Sequence, residues 1–356
     1  PLLEGLQNIS IGGYGEVHYN NLEAEDSDND LDEFDIHRFV LFLGYQFTDT
    51  LRFYSEVEIE HGGVESDGDP LNGELEIEQA FIEWDFAENT SVLGGVFLLP
   101  VGIINETHEP ETFYGVERNT VEAEIIPATW WAVGSKLTHR FDKGFTLEGA
   151  VHSGLEIPVF DDAGAPTGQA RVRSGRQKAS NADGSHVAYT VAASYTGVQG
   201  LEVGVAAQLQ DDATQVSGDG LDDGVLLEGH VAYNGYIGNM GVGLRALYAQ
   251  WDFDGDCDGG TSATCIEIED TDYDKQQGWY IEPSIKPTDS IGFFFRYEDV
   301  EGGRSRAEFD QWTLGLNYWL HEIVVHKADY QDREHDNAPN EDRDFKGYNL
   351  GLGWSF

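Results

Sequence analysis

The chain ends in YNLGLGWSF, Tyr348 to Phe356. Tyr348, Leu350, Leu352, Trp354 and Phe356 occupy every second position, and Asn349, Gly351, Gly353 and Ser355 fill the places between. A period of two puts one apolar face and one small or polar face on an extended strand. In a chain with a formal charge of -46, such a face needs an apolar phase to meet.

The same alternation recurs throughout the chain in segments of about 9 to 13 residues. RFVLFLGYQF sets Phe39, Leu41, Leu43, Tyr45 and Phe47 on one face, and MGVGLRALYAQW does so with Met240, Val242, Leu244, Ala246 and Tyr248. IGFFFRYED aligns Ile291, Phe293, Phe295 and Tyr297, and QWTLGLNYWL aligns Trp312, Leu314, Leu316, Tyr318 and Leu320. Short turn segments at 48–50, 87–90, 141–144, 197–200, 234–239, 286–290 and 321–322 rotate with eight long acidic or Gly-rich stretches centred near Asp28, Asp67, Glu111, Pro166, Gly218, Asp258, Gly302 and Asn337. Counting from Ile9 gives sixteen strands. An even strand number, one tight end, one loop-rich end and aromatics near the ends of the apolar faces predict an all-β, 16-stranded antiparallel transmembrane β-barrel over residues 1–356. Its turns would be periplasmic and its long loops extracellular. A soluble sandwich or propeller also has short alternating strands, and the mean hydropathy of -0.40 suits either class. The long-and-short loop rotation over the whole chain favours the barrel.

Composition narrows the function classes. Asp and Glu number 66 against 20 Lys and Arg, a balance that repels nucleic acid and suits a salty or cation-rich habitat. The longest uncharged apolar run, Ser91 to Asn105, is too short for a membrane helix and is broken by Pro100. No basic and apolar leader begins the sequence, so a mature outer-membrane chain of a Gram-negative bacterium is expected, with its signal peptide removed. Cys257 and Cys265 lie in a Gly- and Asp-rich segment without His, inside an acidic loop at 252–276, and suit a loop disulfide.

The stretch Gly94 to Gly134 contains LPVG, then FYGVER, then PATWW, and it resembles the phosphate-selective porin O and P family. The resemblance implies sixteen strands, a homotrimer, and a third external loop, here residues 101–128, inserted into the pore as a constriction. With only 20 basic residues in the chain, phosphate selectivity is kept as an alternative and not carried over.

Strand parity then assigns the lumen. Leu51, Phe53, Ser55, Val57 and Ile59 point outward, and Arg52, Tyr54, Glu56, Glu58 and Glu60 point inward. The same rule sends Glu16, Arg38, Glu83, Lys136, Arg140, Glu148, Glu202, Glu228, Arg245, Glu282, Lys286, Arg296, Glu298, Lys327 and Asp329 inward. Eleven acids thus face eight bases. Acids on the inserted loop opposite wall arginines would make a transverse field. The loop candidates are Glu106, His108, Glu109, Glu111, Glu117, Glu122 and Glu124, with Arg38, Arg52, Arg245 and Arg296 across from them. Glu117 beside Arg118 can equally be a local pair.

Asp254, Asp256 and Asp258 followed by Gly259 open like a calcium loop, but Cys265 stands where the closing Glu belongs. A solvated acidic surface explains them as well, with structural calcium, or calcium bridging to lipopolysaccharide, as the other reading. No cofactor is otherwise expected, and no enzyme motif survives: HEPE lacks a second His, and IGGYG lies in a strand. The expected function is passive diffusion of small hydrophilic solutes and ions with weak cation preference, set by acidic loops and the lumen excess. The alternatives are an anion or phosphate porin, and a receptor, adhesin or scaffold acting through its loops. Outer-membrane lipid and lipopolysaccharide are the expected surroundings.

Overall fold

The computed structural model describes residues 6–24, 30–63, 73–159, 167, 169–215, 221, 223–254, 273–304, 307–335 and 344–356. Sixteen strands follow one another: β1 Ile9–Ala24, β2 Leu31–Thr48, β3 Leu51–Glu60, β4 Leu75–Ala87, β5 Thr90–Leu98, β6 Trp131–Arg140, β7 Phe145–Ser153 and β8 Val187–Val198, then β9 Leu201–Gln210, β10 Gly224–Ile237, β11 Met240–Phe253, β12 Lys275–Thr288, β13 Ile291–Glu301, β14 Glu308–His321, β15 Val324–His335 and β16 Phe345–Ser355. Each pairs antiparallel with its neighbours, and β1 pairs with β16, so the sheet closes. Closure satisfies every ladder hydrogen bond, which lipid demands. No helix is long and apolar enough to cross a membrane.

The quoted terminal stretch makes the seam. Tyr14 stands opposite Ser355 and Ala24 opposite Phe345, and the amides of Gly13 and Phe356 bond each other's carbonyls at 3.1 and 2.9 Å. Outside the barrel, the Trp354 and Phe356 rings lie over Gly15 and Gly13, where an added Cβ would come within 2.7 and 2.9 Å of them. Only glycine lets these rings lie so close to β1. Phe356 is 56% exposed on the outer face while Tyr14 is fully buried within, as the alternation requires.

The seven short connections fall where the turn residues put them, except that β10 and β11 extend through most of 234–239 and leave only Gly238 and Asn239 between them. Aromatic pairs mark both rims of the apolar band. Tyr45 with Phe47 and Trp84 with Phe86 sit by the turns, and Tyr19 with Phe34 and Trp312 with Tyr330 sit by the loops. Such rings occupy the two interfaces of a membrane barrel.

The interior departs from a simple wet lumen. Leu99, Val101, Ile125, Ile126 and Trp130 of the third long loop pack with Leu155, Ile157 and Val172 of the fourth, residues 154–186, and with inward Phe97, Leu226, Leu247 and Trp251. Two loops therefore share an apolar core inside the barrel. The Ser91–Asn105 run is apolar on both faces because its inner face feeds this core. The acidic loop after β11 spans 254–274, slightly shorter than expected because both flanking strands run on. Cys257 and Cys265 of the expected disulfide, and Asp256 and Asp258 of the expected calcium loop, lie outside the described residues. Asp254 donates its backbone amide to Asp223 at 2.8 Å.

Candidate functional site

The third loop leaves β5 and re-enters at β6, and its two ends are clipped by one side chain. Asn105 donates to the carbonyls of Leu99 and Trp130 at 2.8 and 3.0 Å and accepts the Trp130 amide at 2.6 Å. From there the loop crosses the lumen to the opposite wall. Arg38 of β2 donates to the His108 carbonyl at 2.8 Å, and Arg245 of β11 to that of Thr112 at 2.6 Å. Asn317 of β14 donates to the Phe113 carbonyl, and Arg296 of β13 to those of Tyr114 and Glu117. Asp329 of β15 accepts the Val116 amide at 2.6 Å, and Glu298 of β13 accepts the Thr120 amide at 2.5 Å. Wall charges thus satisfy loop backbone that would otherwise be buried without partners.

This arrangement differs from the expected transverse field. Arg38 is paired with Glu16, Arg52 with Glu83 and Asp85, and Arg296 with Glu282 and Glu298, while Arg245 lies 3.9 Å from Glu282. Lys327 is buried with its ammonium 3.4 Å from the centre of the Phe113 ring. Glu58, opposite Glu76 in the β3/β4 register, is buried as well. Arg140 is exposed at the turn end of β6. Parity put these side chains inside, and the loops then removed most of them from water.

The loop acids divide by environment. Glu122 is fully buried: one carboxylate oxygen accepts the Ile103 and Ile104 amides at 2.8 and 2.7 Å, and the other accepts Asn119 at 3.0 Å and the Tyr280 hydroxyl at 2.9 Å. Burial pushes its carboxyl up, against the pull of those donors. Asn119 also caps the short helix α1, Thr120–Glu124, by accepting the Glu122 amide. Glu122 is a structural keystone, not a pore acid. Glu124 makes a two-pronged pair with Arg171 of the fourth loop, and Glu106 pairs with Lys136 at 2.8 Å. Glu111 accepts from Ser355 of β16 at 2.6 Å. Glu117 shares a hydrogen bond with His18 of β1 at 2.8 Å whereas Arg118 donates to Thr129, so the adjacent residues do not form a local pair. Glu109 faces a cavity of about 610 Å³, whose walls also include Arg52, Tyr54, Glu56, Glu83, Glu106 and His108.

A basic cluster escaped the sequence reading. Four bases, Arg171, Arg173, Arg176 and Lys178, fall within RVRSGRQK of the fourth loop, a dense run in so acidic a chain. Arg173 donates to the Ala123 and Ala128 carbonyls at 2.8 Å each, and Arg176 donates to Thr129 and covers the Trp131 ring. Arg118 joins them on the Thr129 hydroxyl. Among the described residues, no carboxylate forms an ion pair with Arg118, Arg173 or Arg176. Burial, then the like charges of Arg176, Arg118 and Arg171, pull the Arg173 guanidinium below its ordinary range. Across from the cluster stand wall acids: Lys178 pairs with Glu74 and Glu76 at 2.5 Å, and Arg176 lies in the field of Glu76, Glu60 and Glu78.

The family model described as phosphate-selective porin O and P matches residues 10–235. The chain belongs to that family. It is 31% identical over 378 residues to an uncharacterized protein of Aquifex aeolicus (strain VF5), covering 98% of this chain and 80% of that one. Among solved structures, an anion-selective porin from Comamonas acidovorans superposes with a TM-score of 0.62 at 11% identity, covering 98% and 99% of the two chains. OmpF of Salmonella typhi, in complex with daunomycin, gives 0.61 at 16% identity, covering 98% and 97%. At such identities the structures share the fold alone. The family and the closed barrel make this porin an outer-membrane channel.

Proposed function

We propose that this porin passes small hydrophilic anions, inorganic phosphate among them, by diffusion through a narrow zone between arginines of the third and fourth loops and acids of β3 and β4. The observation that carries the reading is the Arg118, Arg173 and Arg176 cluster, with no carboxylate ion-paired to it among the described residues. Three guanidiniums with spare donors in a partly desolvated zone attract an anion and exchange its hydration for N–H bonds. The field is transverse but opposite in sense to the expected one: bases on the loops, acids such as Glu60 and Glu76 on the wall. The family supports this substrate class, as does the anion selectivity of the Comamonas acidovorans porin. A homotrimer, embedded in lipid and lipopolysaccharide, is the proposed assembly; OmpT of Vibrio cholerae, a barrel with a TM-score of 0.52, has a trimer form.

Weak cation preference is the second reading, favoured by the net charge of -46 and by Glu109, which faces the cavity with no ion pair among the described residues. Reversal potentials in a potassium chloride gradient separate the two. We expect chloride preference at about 0.1 M salt, where charges act over about 10 Å. The triple replacement Arg118→Ala, Arg173→Ala and Arg176→Ala should move the channel toward cations. Cation preference in the unaltered porin, left unchanged by the triple replacement, would overturn the anion reading.

A further inference from the structure

Three side chains from three segments of the barrel interior converge on one point. His108 comes from the third loop, Glu56 from β3 and Glu78 from β4. All are almost wholly buried, at 3%, 1% and 1% exposure. The His108 Nε2 atom lies 3.4 Å from Glu56 Oε1 and 3.5 Å from Glu78 Oε2, and the three atoms all fall within 4.8 Å of one another. Yet each of these three atoms lacks a hydrogen-bond partner, and the separations are long for an N–H between them. Two buried carboxylate oxygens face one ring nitrogen at ion-pair distance with no hydrogen bond to any of the three, an arrangement that calls for a positive charge among them, carried either by a proton on the imidazole or by a bound cation.

We infer that Glu56, Glu78 and His108 form a divalent transition-metal site, with zinc as the best-suited ion. Zinc takes nitrogen and carboxylate oxygen at about 2.0–2.2 Å, and a tetrahedron of that size has edges of about 3.4 Å. The two nitrogen-to-oxygen separations match that edge. The outer contacts are also those a ligand set needs. The other ring nitrogen of His108 lies 3.2 Å from the Asn105 carbonyl and donates to it, which turns the Nε2 lone pair toward the carboxylates. Glu56 uses its remaining oxygen to accept from Gln79 at 2.6 Å, which fixes the carboxylate and leaves Oε1 free. Glu56 and His108 also line the 610 Å³ cavity, which offers an entry path and room for a fourth, water ligand.

Other groupings are weaker. In the set of His18, His37 and Glu117, His18 and Glu117 are already hydrogen-bonded to each other, and Glu58, Glu60 and Glu76 are carboxylates alone. The ion would tie the third loop to β3 and β4, on the side of the lumen where Arg38 holds the His108 carbonyl.

The test uses the full chain folded in detergent, stripped with EDTA, loaded with zinc chloride and desalted, with bound metal counted by mass spectrometry. We expect one tightly held zinc per chain, and a loss of affinity of more than about 100-fold in each of Glu56→Gln, Glu78→Gln and His108→Gln. The double variant His18→Gln, His37→Gln should keep its zinc. Heat-modifiable gel mobility reports folding of each variant. Cobalt loading of the unaltered chain gives a reading independent of any variant, through the strong visible bands of a tetrahedral site. Failure to retain zinc at micromolar free metal, loss of zinc in the His18 and His37 double variant instead, or a cobalt spectrum without tetrahedral bands would overturn the assignment.

Discussion

Glu122→Ala is the sharpest test of the third loop as the element that narrows the pore. The replacement strips acceptors from the part-buried Ile103 and the buried Ile104 amides and leaves Asn119 and the Tyr280 hydroxyl without their carboxylate. Each buried donor left unpaired costs about 1–3 kcal/mol, so the two amides alone weaken the loop's packed state by about 2–6 kcal/mol. At about 1.4 kcal/mol per tenfold, even the low end raises the population of displaced loop roughly 30-fold. The barrel ladder is untouched, so the sheet should assemble normally and the change should be confined to the channel. Single-channel recording should show larger conductance and frequent long-lived steps, and brief protease treatment should cut within 101–128. Tyr280→Phe removes one of the four donors and keeps the ring, so it should fall between the two. A Glu122→Ala channel with the conductance and protease resistance of the unaltered protein would refute the claim that this carboxylate anchors the loop.

Two further outcomes follow from the wall. Phe356→Ala leaves the seam hydrogen bonds to Gly13 but removes the ring that covers Gly13 and stacks near Phe39, so the yield of heat-resistant barrel on gels should fall; an unchanged yield would count against the terminal ring as an assembly anchor. Cysteine at Leu314 should react only with lipid-phase reagents, cysteine at Arg140 or Glu202 with aqueous ones, and cysteine at the covered Glu298 with neither until Glu122→Ala frees the loop; aqueous labelling at Leu314 would contradict the parity of the sheet.

Strand number, turn positions and the outward face were readable because period-two alternation is a local property and lipid enforces it on every strand. The terminal Tyr348–Phe356 stretch carried both the seam and the face in nine residues. Parity also sent the lumen charges the right way, since a side chain's face depends only on its own strand. What parity cannot supply is what lies across from that face. Glu122 looks like any other loop acid in sequence, and its role depends on Tyr280, 158 residues away. The partial signals were violations of the alternation itself. Leu226, Leu247, Trp251 and Phe253 are apolar on faces that should be wet, and the Ser91–Asn105 run is apolar on both.

Those violations explain why counting lumen charges does not by itself describe the surface an ion meets. An inward apolar patch on β10 and β11 has to be covered, and the third and fourth loops cover it by packing their own leucines, isoleucines and Trp130 inside the barrel. Once they are there, their backbone must be satisfied, and the wall arginines, Asp329 and Glu298 supply the bonds. The arginines committed to that task are also ion-paired to wall glutamates, which reduces the field they present to an ion. On the proposed anion reading the charge that matters is what remains: Arg118, Arg173 and Arg176, which among the described residues bond carbonyls and a hydroxyl and no carboxylate, and the acids on β3 and β4 that face them. On that reading, a chain with a net charge of -46 presents bases where its third and fourth loops face β3 and β4, because selectivity depends on which charges remain unpaired along the path and not on the total.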